Sequence, residues 1–295
     1  MDFSAYLIKK QNTIDTFLRE YISSKKKDDS CPGHLQKSMA YSLLAGGKRL
    51  RAILVMASYG VTGRRSKKIV PVASAIELIH TYSLIHDDLP AMDNDDFRRN
   101  KPTNHRVFGE ASAILAGDAL LTDAFGMISK VSFQSEVLID IIKELAYASG
   151  PEGMVGGQTA DIIYEDKNIN KKQLHYIHTH KTGALIRASV RIGALMAETS
   201  PGIFRSLTKY GENIGLAYQV VDDILDVVGS RKELGKSTGA DTSRGKNTYP
   251  SLYGIEESQR KAESLIHDSL SAIKRLDHKA DPLREIANYI LRRRN

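Results

Sequence analysis

Apolar residues recur along most of the chain at spacings of three and four positions, which is typical of one side of a helix. One clear example comprises Ala217, Val220, Val221, Ile224, Leu225 and Val228. Glycine and proline residues separate such stretches, and the strict alternation that indicates strands is scarce. The pattern predicts an all-α protein, with residues 1–295 forming one domain, a single large helical bundle around a central cavity.

Polar residues occupy the other side of that same helix. Gln219, Asp222, Asp223 and Asp226 are three, four and seven positions apart, so they share a face within two turns. An ordinary amphipathic helix with a solvated acidic face is the alternative interpretation. No lysine or arginine stands beside these acids in the sequence, so we expect the face to chelate a cation.

A first acidic cluster occurs earlier in the chain, at Asp87, Asp88 and Asp93. A regular helix would leave Asp87 and Asp93 on different faces. Pro90 disfavours helical geometry at the preceding residue and removes a backbone donor. The sequence therefore predicts that a helix starting near Ile69 ends or bulges at Pro90 and brings Asp93 round towards Asp87.

Two such clusters in apolar surroundings favour a shared cation, because carboxylates repel one another and are costly to bury. Oxygen ligands of this kind suit Mg²⁺, which commonly binds one or two carboxylates together with substrate phosphates. The two clusters together predict a divided magnesium site for a phosphorylated metabolite.

Basic residues follow the first acidic cluster and also lie near the start of the chain. Arg98 and Arg99 come directly after the acids, and the segment Gly46–Arg51 contains three basic residues. Arginine and lysine bind diphosphate, although basic runs are also common on solvated surfaces. The segment Gly235–Ser237 lacks the upstream glycine of a nucleotide-binding P-loop, so an enzyme of that class is not expected.

These segments, with three others, resemble motifs of the short-chain trans-polyprenyl diphosphate synthases, in the form typical of bacterial farnesyl diphosphate synthases. The matching segments are Gly46–Arg51, Asp87–Asp93 followed by Phe97–Arg99, Gly153–Gln158, Lys181–Gly183, Tyr218–Asp226 and Leu234–Lys236. The chain departs from the family pattern at Asn94 and Asn100, where aspartate and glycine are common. The resemblance implies the helical isoprenoid synthase type I fold and a homodimer.

The resemblance also implies a reaction. Isopentenyl diphosphate would condense head to tail with dimethylallyl or geranyl diphosphate to give (2E,6E)-farnesyl diphosphate. Mg²⁺ and basic side chains would neutralise the leaving diphosphate, so that the allylic C–O bond ionises. The released diphosphate would take up the final proton, so no protein base is needed.

The same resemblance assigns residues to roles. The magnesium ligands would be Asp87, Asp88, Asp93, Asp222, Asp223 and Asp226. The allylic diphosphate would contact Arg98, Lys181, Thr182, Gln219, Lys236 and Lys246, and isopentenyl diphosphate would contact Lys48, Arg51, His80 and Arg99. The catalytic set would be Asp87, Asp93, Arg98, Lys181 and Asp222, and product length would depend on Tyr82 and Ser83.

Tyr82 is expected to limit the product length. Five residues at about 1.5 Å each place it roughly 7.5 Å from Asp87 along the helix axis, where an aromatic ring resembles the floor of the bacterial farnesyl enzymes. The neighbouring Ser83 is small, so Tyr82 would be the residue that stops the growing hydrocarbon tail. The alternatives are a packed helical aromatic at Tyr82 and a core histidine at His80.

Other functions remain open. Geranylgeranyl diphosphate synthase would differ only at Tyr82 and at residues deeper in the pocket. A class I terpene cyclase would need no binding site for isopentenyl diphosphate. A metal-dependent phosphohydrolase is suggested by His86 beside Asp87, but His175, His178 and His180 do not share a helical face. A non-catalytic binding module that retains the pocket is a further alternative.

Composition narrows the cellular setting. The net charge of +7 comes without a nucleic-acid-binding motif, and diphosphate substrates explain it as well. The single cysteine, Cys31, excludes an intramolecular disulfide and fits a reducing compartment. No basic leader with an apolar core and no run of 18 apolar residues occurs, so we expect neither secretion nor stable membrane insertion. The sequence predicts a cytoplasmic protein.

Overall fold

The computed structural model describes residues 2–25, 31–228 and 246–293. Within these ranges the chain is 76% helical with almost no strand, which confirms the predicted all-α class. Its internal contacts divide it into two compact units, Met1–Met56 with Ser66–Leu138 and Ala57–Arg65 with Ile139–Asn295. The single domain with a central cavity stays a prediction.

The first half of the chain contains helices and one short hairpin. Its elements are α1 (Phe3–Ser24), α2 (Gly33–Leu43), α3 (Leu50–Gly60), α4 (Ile69–Asp87), β1 (Phe97–Arg98), β2 (Lys101–Pro102), α5 (Asn104–Phe108) and α6 (Glu110–Ser129). In the first unit, α4 packs against α6, α1 and α2, and α2 also packs against α5 and α6.

Helix α4 forms the core of the first unit. It is apolar on nearly all sides, and residues such as Ala73, Ile76 and Ile79 are 0% exposed. A helix with apolar residues all round is stable only when it is covered on all sides. Small buried residues on α6, Ala113 and Ala116, allow that helix to lie close against α4.

Among the described residues, α4 and α6 are long and apolar enough, by length and composition alone, to cross a membrane. The apolar stretch of α4 is 67% buried inside the protein and that of α6 is 39% buried. Core helices of water-soluble proteins meet the same criterion. The expectation that the chain does not insert into a membrane therefore stays a prediction.

The second half is also helical where it is described. Its helices are α7 (Ser135–Ser149), α8 (Met154–Ile163), α9 (Lys171–Ile177), α10 (Ala184–Met196), α11 (Pro201–Val228), α12 (Tyr249–Tyr253), α13 (Ile255–Ala272) and α14 (Asp281–Arg292). The π-helical residues His178–Gly183, here called the π segment, join α9 to α10, and a 3₁₀ turn at His278–Ala280 precedes α14. In the second unit, α11 packs against α10, α13, α14 and the π segment.

The apolar stripe predicted on α11 is buried along most of its length. Ala217 and Val220 are 0% exposed, whereas Val228, the last residue of the helix, is 55% exposed. Nearer the middle of α11, a Cβ atom added at Gly215 would lie 3.0 Å from the Cα atom of Gly183. Glycine at this position therefore lets α11 approach the backbone of the π segment.

A buried group of ion pairs links α1 to α4. The Arg49 side chain is 1% exposed and donates to Asp15 Oδ1 at 2.8 Å and to the Leu43 carbonyl oxygen at 2.7 Å. Its Nη1 also lies 3.4 Å from Oε2 of Glu77, whose side chain is 3% exposed. Arg49 therefore stabilises the fold, in contrast to its neighbours in the basic segment Gly46–Arg51.

We predict that Arg49→Ala lowers the free energy of unfolding by about 3–5 kcal/mol, because the buried carboxyl group of Glu77 would lose the guanidinium group that pairs with it. Urea denaturation measures the loss. Arg64→Ala is the matched control: the Arg64–Glu198 pair, 2.5 Å apart, has side chains that are 43% and 32% exposed. Removing that exposed pair should cost about 1 kcal/mol or less, and equal losses in the two variants would contradict the prediction.

Candidate active site

The first acidic motif, Asp87, Asp88, Asp93 and Asp95, forms at the end of α4. The helix ends at Asp87, and the chain turns back so that the Asp93 N–H group donates to the Asp87 carbonyl oxygen at 2.8 Å. The Asp95 N–H group donates to the Asp88 carbonyl oxygen at 3.2 Å. The prediction that Pro90 ends the helix and returns Asp93 is confirmed.

Asp88 is the buried member of the motif, at 3% exposure. Burial raises the pKa of its carboxyl group to about 6, and the nearby charges of Asp95 and Asp93 also raise it. Arg98 opposes this shift, because its Nε donates to Asp88 Oδ1 at 2.6 Å. Arg98 Nη2 also lies 3.4 Å from Asp95. The protein itself therefore supplies part of the positive charge that the clustered acids require.

The short hairpin places the two arginines on different partners. Strand β1 pairs antiparallel with β2, and the two residues between them, Arg99 and Asn100, have φ values of 53° and 59°. Positive φ at both central positions is the requirement of a type I′ turn, and asparagine tolerates it better than most residues. This explains why Asn100 can replace the glycine common in the family. The turn directs Arg99 to the carbonyl oxygen of Gly46, to which it donates.

Three of the four residues predicted to bind isopentenyl diphosphate form a cationic cluster, defined here as Arg51, His80 and Arg99, in which the two arginines carry the charge and His80 is a neutral neighbour. Burial lowers the pKa of His80 well below its ordinary value, and the Arg51 and Arg99 charges lower it further. Nε of Arg51 is buried and has no hydrogen-bond partner within the described ranges. Lys48, the fourth residue, is exposed. An anion would satisfy both the charge and the open donor.

Gly47 is required for this arrangement. A Cβ atom at Gly47 would lie 2.9 Å from Cζ of Arg99, and the residue has a φ of +124°. Any other residue would therefore be strained and would push the guanidinium group away. The structure thus explains why the segment Gly46–Arg51 has glycine at position 47.

Tyr82 and Ser83 lie one turn before the acids. Tyr82 is 6% exposed, and burial, with a smaller contribution from the Asp87 charge, raises its pKa to about 12. The Ser83 hydroxyl donates to the His80 carbonyl oxygen at 2.9 Å. The position of Tyr82 in the core is therefore established, while its role in product length stays a prediction.

The second acidic motif, Asp222, Asp223 and Asp226, lies on α11 in the second unit. Asp223 and Asp226 are 2% and 3% exposed, which rules out a solvated acidic face for these two residues. Asp223 accepts from Gln219 Nε2 and from the Tyr249 N–H group, each at 2.8 Å. Asp223 thus anchors Gln219 and the start of α12, and its predicted role as a magnesium ligand stays untested.

His178 supports this anchor from the π segment. Its Nε2 lies 3.5 Å from Asp223 Oδ2, and its ring stacks on Tyr249 with centroids 5.3 Å apart. Burial lowers the pKa of His178 to about 3, so the ring is neutral at pH 7. His178 therefore acts as a neutral neighbour of Asp223.

Asp222 has a partner that the sequence did not indicate. Nη2 of Arg293 lies 2.6 Å from Asp222 Oδ1, and the guanidinium group lies 4.2 Å from the centre of the Tyr218 ring. Arg293 follows α14, far from Asp222 in the sequence. The structure brings it to a predicted magnesium ligand.

The π segment positions Lys181 and Thr182. Lys181 Nζ lies 2.5 Å from Asp161 Oδ2, and Lys246 Nζ lies 3.9 Å from the same atom. The Thr182 hydroxyl donates to Gln219 Oε1 at 2.6 Å. Four predicted contacts of the allylic diphosphate thus form two groups: Lys181 and Lys246 lie at Asp161, and Thr182 lies at Gln219. The fifth, Lys236, lies outside the described residues, and the sixth, Arg98, belongs to the first unit.

A close backbone contact explains why the Gly153–Gln158 segment has glycine at position 157. A Cβ atom at Gly157 would lie 2.1 Å from the backbone nitrogen of Lys181. Helix α8 can therefore lie against the π segment only with glycine at this position. π-helical turns are rare in proteins, but those that occur are often found at functional sites, because they redirect side chains locally. Sequence periodicity alone does not reveal such a turn.

No group of three His, Cys, Asp or Glu side chains in the described part of the chain is arranged to hold a metal by itself. The donors in both acidic motifs are carboxylate oxygens, and Asp87, Asp93 and Asp222 are partly exposed. This donor set fits Mg²⁺, which keeps several waters and takes further ligands from substrate phosphates.

Comparison with known proteins identifies the family. The chain matches the polyprenyl synthetase family model over residues 32–289. It is 50% identical over 264 residues to a farnesyl diphosphate synthase from Escherichia coli (strain K12), covering 87% of this chain and 88% of that protein. It is 43% identical over 293 residues to a geranylgeranyl diphosphate synthase from Cyanophora paradoxa, covering 98% and 96%.

A solved structure shows the same fold. The crystal structure of a geranyltransferase from Helicobacter pylori, complexed with magnesium and isoprenyl diphosphate, has a TM-score of 0.83 and 33% identity. The match covers 99% of this chain and 97% of that one. The chain therefore belongs to the polyprenyl synthetase family and is a short-chain prenyltransferase.

Proposed function

We propose that the protein is a farnesyl diphosphate synthase, which condenses isopentenyl diphosphate with dimethylallyl or geranyl diphosphate in the presence of Mg²⁺. The observation that carries the proposal is the cationic cluster Arg51, His80 and Arg99, in the same unit as the first acidic motif. The acids suit a metal-bound diphosphate, whereas the cationic cluster suits a second diphosphate without metal. A terpene cyclase would need no second site of this kind.

The allylic diphosphate would use both acidic motifs and the cations beside them. Asp87, Asp93 and Asp222 would hold Mg²⁺ with the diphosphate, while Asp88, Asp223 and Asp226 would be further ligands or orient the first three. The contacts of Lys181 with Asp161 and of Arg98 with Asp88 support a change of partner on binding. Both cations are already held near the acids, so the diphosphate would compete with Asp161 for Lys181 and with Asp88 and Asp95 for Arg98.

The chemistry would need charge stabilisation more than a protein base. Bound Mg²⁺ would supply Lewis-acid stabilisation of the leaving diphosphate. Arg98 and Lys181 would neutralise the same developing charge from the protein side, together with Lys246 and Lys236. The side-chain oxygen of Gln219, oriented by Thr182 and Asp223, would stabilise the allylic cation through its dipole. The buried surroundings of α4 would limit access of water to that cation.

Product length would depend on Tyr82. The ring is buried one turn before Asp87, which supports a block against a growing hydrocarbon chain. The relatives include both farnesyl and geranylgeranyl diphosphate synthases, so the second candidate is a C20 product. We propose C15 because Tyr82 is large and buried, at 6% exposure.

We further propose a cytoplasmic homodimer. Apolar side chains exposed on α6 in the first unit, Ile114 at 44% and Leu115 at 58%, support burial against another copy of the chain. The cationic groups described above point towards small diphosphates, so no nucleic-acid partner is proposed.

The direct experiment supplies isopentenyl diphosphate with geranyl diphosphate and Mg²⁺ to the purified protein and identifies the alcohols after dephosphorylation. Farnesol is the expected main product, and it should disappear when EDTA removes the metal. Geranylgeraniol as the main product would replace the C15 assignment by C20. Free phosphate or cyclic hydrocarbons without condensation would contradict prenyl transfer.

We predict that Asp87→Asn lowers kcat/KM by about 10²–10³-fold, because one charged ligand of the metal-bound diphosphate is lost. Asp96→Asn is the matched control, since Asp96 follows the first acidic motif but forms an ion pair with Arg106 at 3.0 Å, both side chains being more than half exposed. Its kcat/KM should stay within about twofold of the wild type. An unchanged rate for Asp87→Asn, with Mg²⁺ still required, would exclude Asp87 from the site.

We predict that Tyr82→Ala shifts the main product from C15 towards C20 or longer, with the C20 share rising about tenfold or more. The reason is that removal of the ring leaves space into which a longer hydrocarbon chain can extend. Tyr82→Phe keeps the ring and removes only the hydroxyl, so its product should remain C15. Chromatography of the dephosphorylated products measures both variants, and C15 from Tyr82→Ala would remove Tyr82 from length control.

A further inference from the structure

The imidazole ring of His86 lies between Tyr82 and helix α6. The His86 and Tyr82 ring centroids are 5.7 Å apart with an interplanar angle of 76°, an edge-to-face contact. Nε2 of His86 lies 3.0 Å from the carbonyl oxygen of Ile114 on α6. A carbonyl oxygen only accepts, so Nε2 carries the proton and donates it. One ring therefore contacts Tyr82 and is fixed to the neighbouring helix.

Helix α6 makes room for this ring at a single glycine. A Cβ atom at Gly117 would lie 2.1 Å from Nε2 and 2.5 Å from Cδ2 of His86. Any larger residue would displace the imidazole group. Gly126, on the same helix, has no atom within 4 Å of an added Cβ. The space at Gly117 is therefore specific to the imidazole ring.

The contact matters because the tilt of Tyr82 depends on the groups against which it packs. Tyr82 and His86 are four positions apart on α4, so their side chains are neighbours on one face. Edge-to-face aromatic pairs have a preferred angle, and His86 is itself held by the Ile114 carbonyl group. A fixed imidazole ring therefore favours one orientation of the Tyr82 ring.

We propose that His86 is a positioning residue for product length: it holds the Tyr82 ring across the path of the growing hydrocarbon, and Gly117 provides the space that it needs. The inference rests on the proposed role of Tyr82 and deepens it, because length control then extends to the interface of α4 with α6. His86 acts through Tyr82 and does not touch the substrate. Without the imidazole group, Tyr82 can tilt into the vacated space and open the path.

The test measures product length and kcat for His86→Ala, Gly117→Ala, Tyr82→Ala and the double variant His86→Ala/Tyr82→Ala, with Gly126→Ala as the control. The C20 share should rise about tenfold in His86→Ala and also rise in Gly117→Ala, which displaces the ring from the other helix. Gly126→Ala should keep the wild-type distribution. The double variant should match Tyr82→Ala alone, because both changes act on one ring.

The outcomes separate this inference from the proposed function. If Tyr82→Ala lengthens the product while His86→Ala and Gly117→Ala both give C15, the role of His86 is overturned and that of Tyr82 stands. The same holds if His86→Ala only lowers kcat, since that would indicate a disturbance of Asp87. If Tyr82→Ala leaves the product unchanged, Tyr82 does not limit product length, and the proposed positioning role of His86 is contradicted as well. Should His86→Ala not fold, Gly117→Ala decides by the same criterion.

Discussion

The constraint on which this structure depends is that carboxylates cannot be gathered and buried without positive charge nearby. In the first unit, Arg98 supplies that charge to Asp88, whose pKa burial still raises to about 6. In the second unit, Arg293 supplies it to Asp222. Each acidic motif is thus partly neutralised by the chain itself, so the proposed binding of Mg²⁺ and diphosphate would be an exchange of partners. An exchange costs less than bringing a new charge into an apolar environment.

Unusual backbone geometry then places the charged groups. The turn at Arg99 and Asn100 needs positive φ at two successive residues, and it directs Arg99 away from Arg98. Gly47 leaves space for the guanidinium group of Arg99, and Gly157 leaves space for the backbone of the π segment. Glycine and asparagine in these motifs therefore allow neighbouring groups to reach their positions. In this way the backbone conformation supports the proposed chemistry.

Features set by neighbouring residues could be predicted from the sequence, and those set by distant residues could not. The helix period gave the all-α class, and Pro90 gave the end of α4, because both depend on local sterics. The partner of Asp222 is Arg293, which only the tertiary fold brings close. The same is true of the Tyr249 N–H group, which donates to Asp223. The π segment also escaped prediction, since periodicity does not reveal one inserted residue.

The central proposal is that the carboxylates of each acidic motif bind Mg²⁺ together with an allylic diphosphate. The most direct measurement is a crystal structure with Mg²⁺ and an unreactive thio analogue of geranyl diphosphate. The account predicts ions ligated by Asp87 and Asp93 and by Asp222, each ion also touching the diphosphate, with Arg293 displaced from Asp222. A structure in which the diphosphate binds while either motif holds no ion would contradict it.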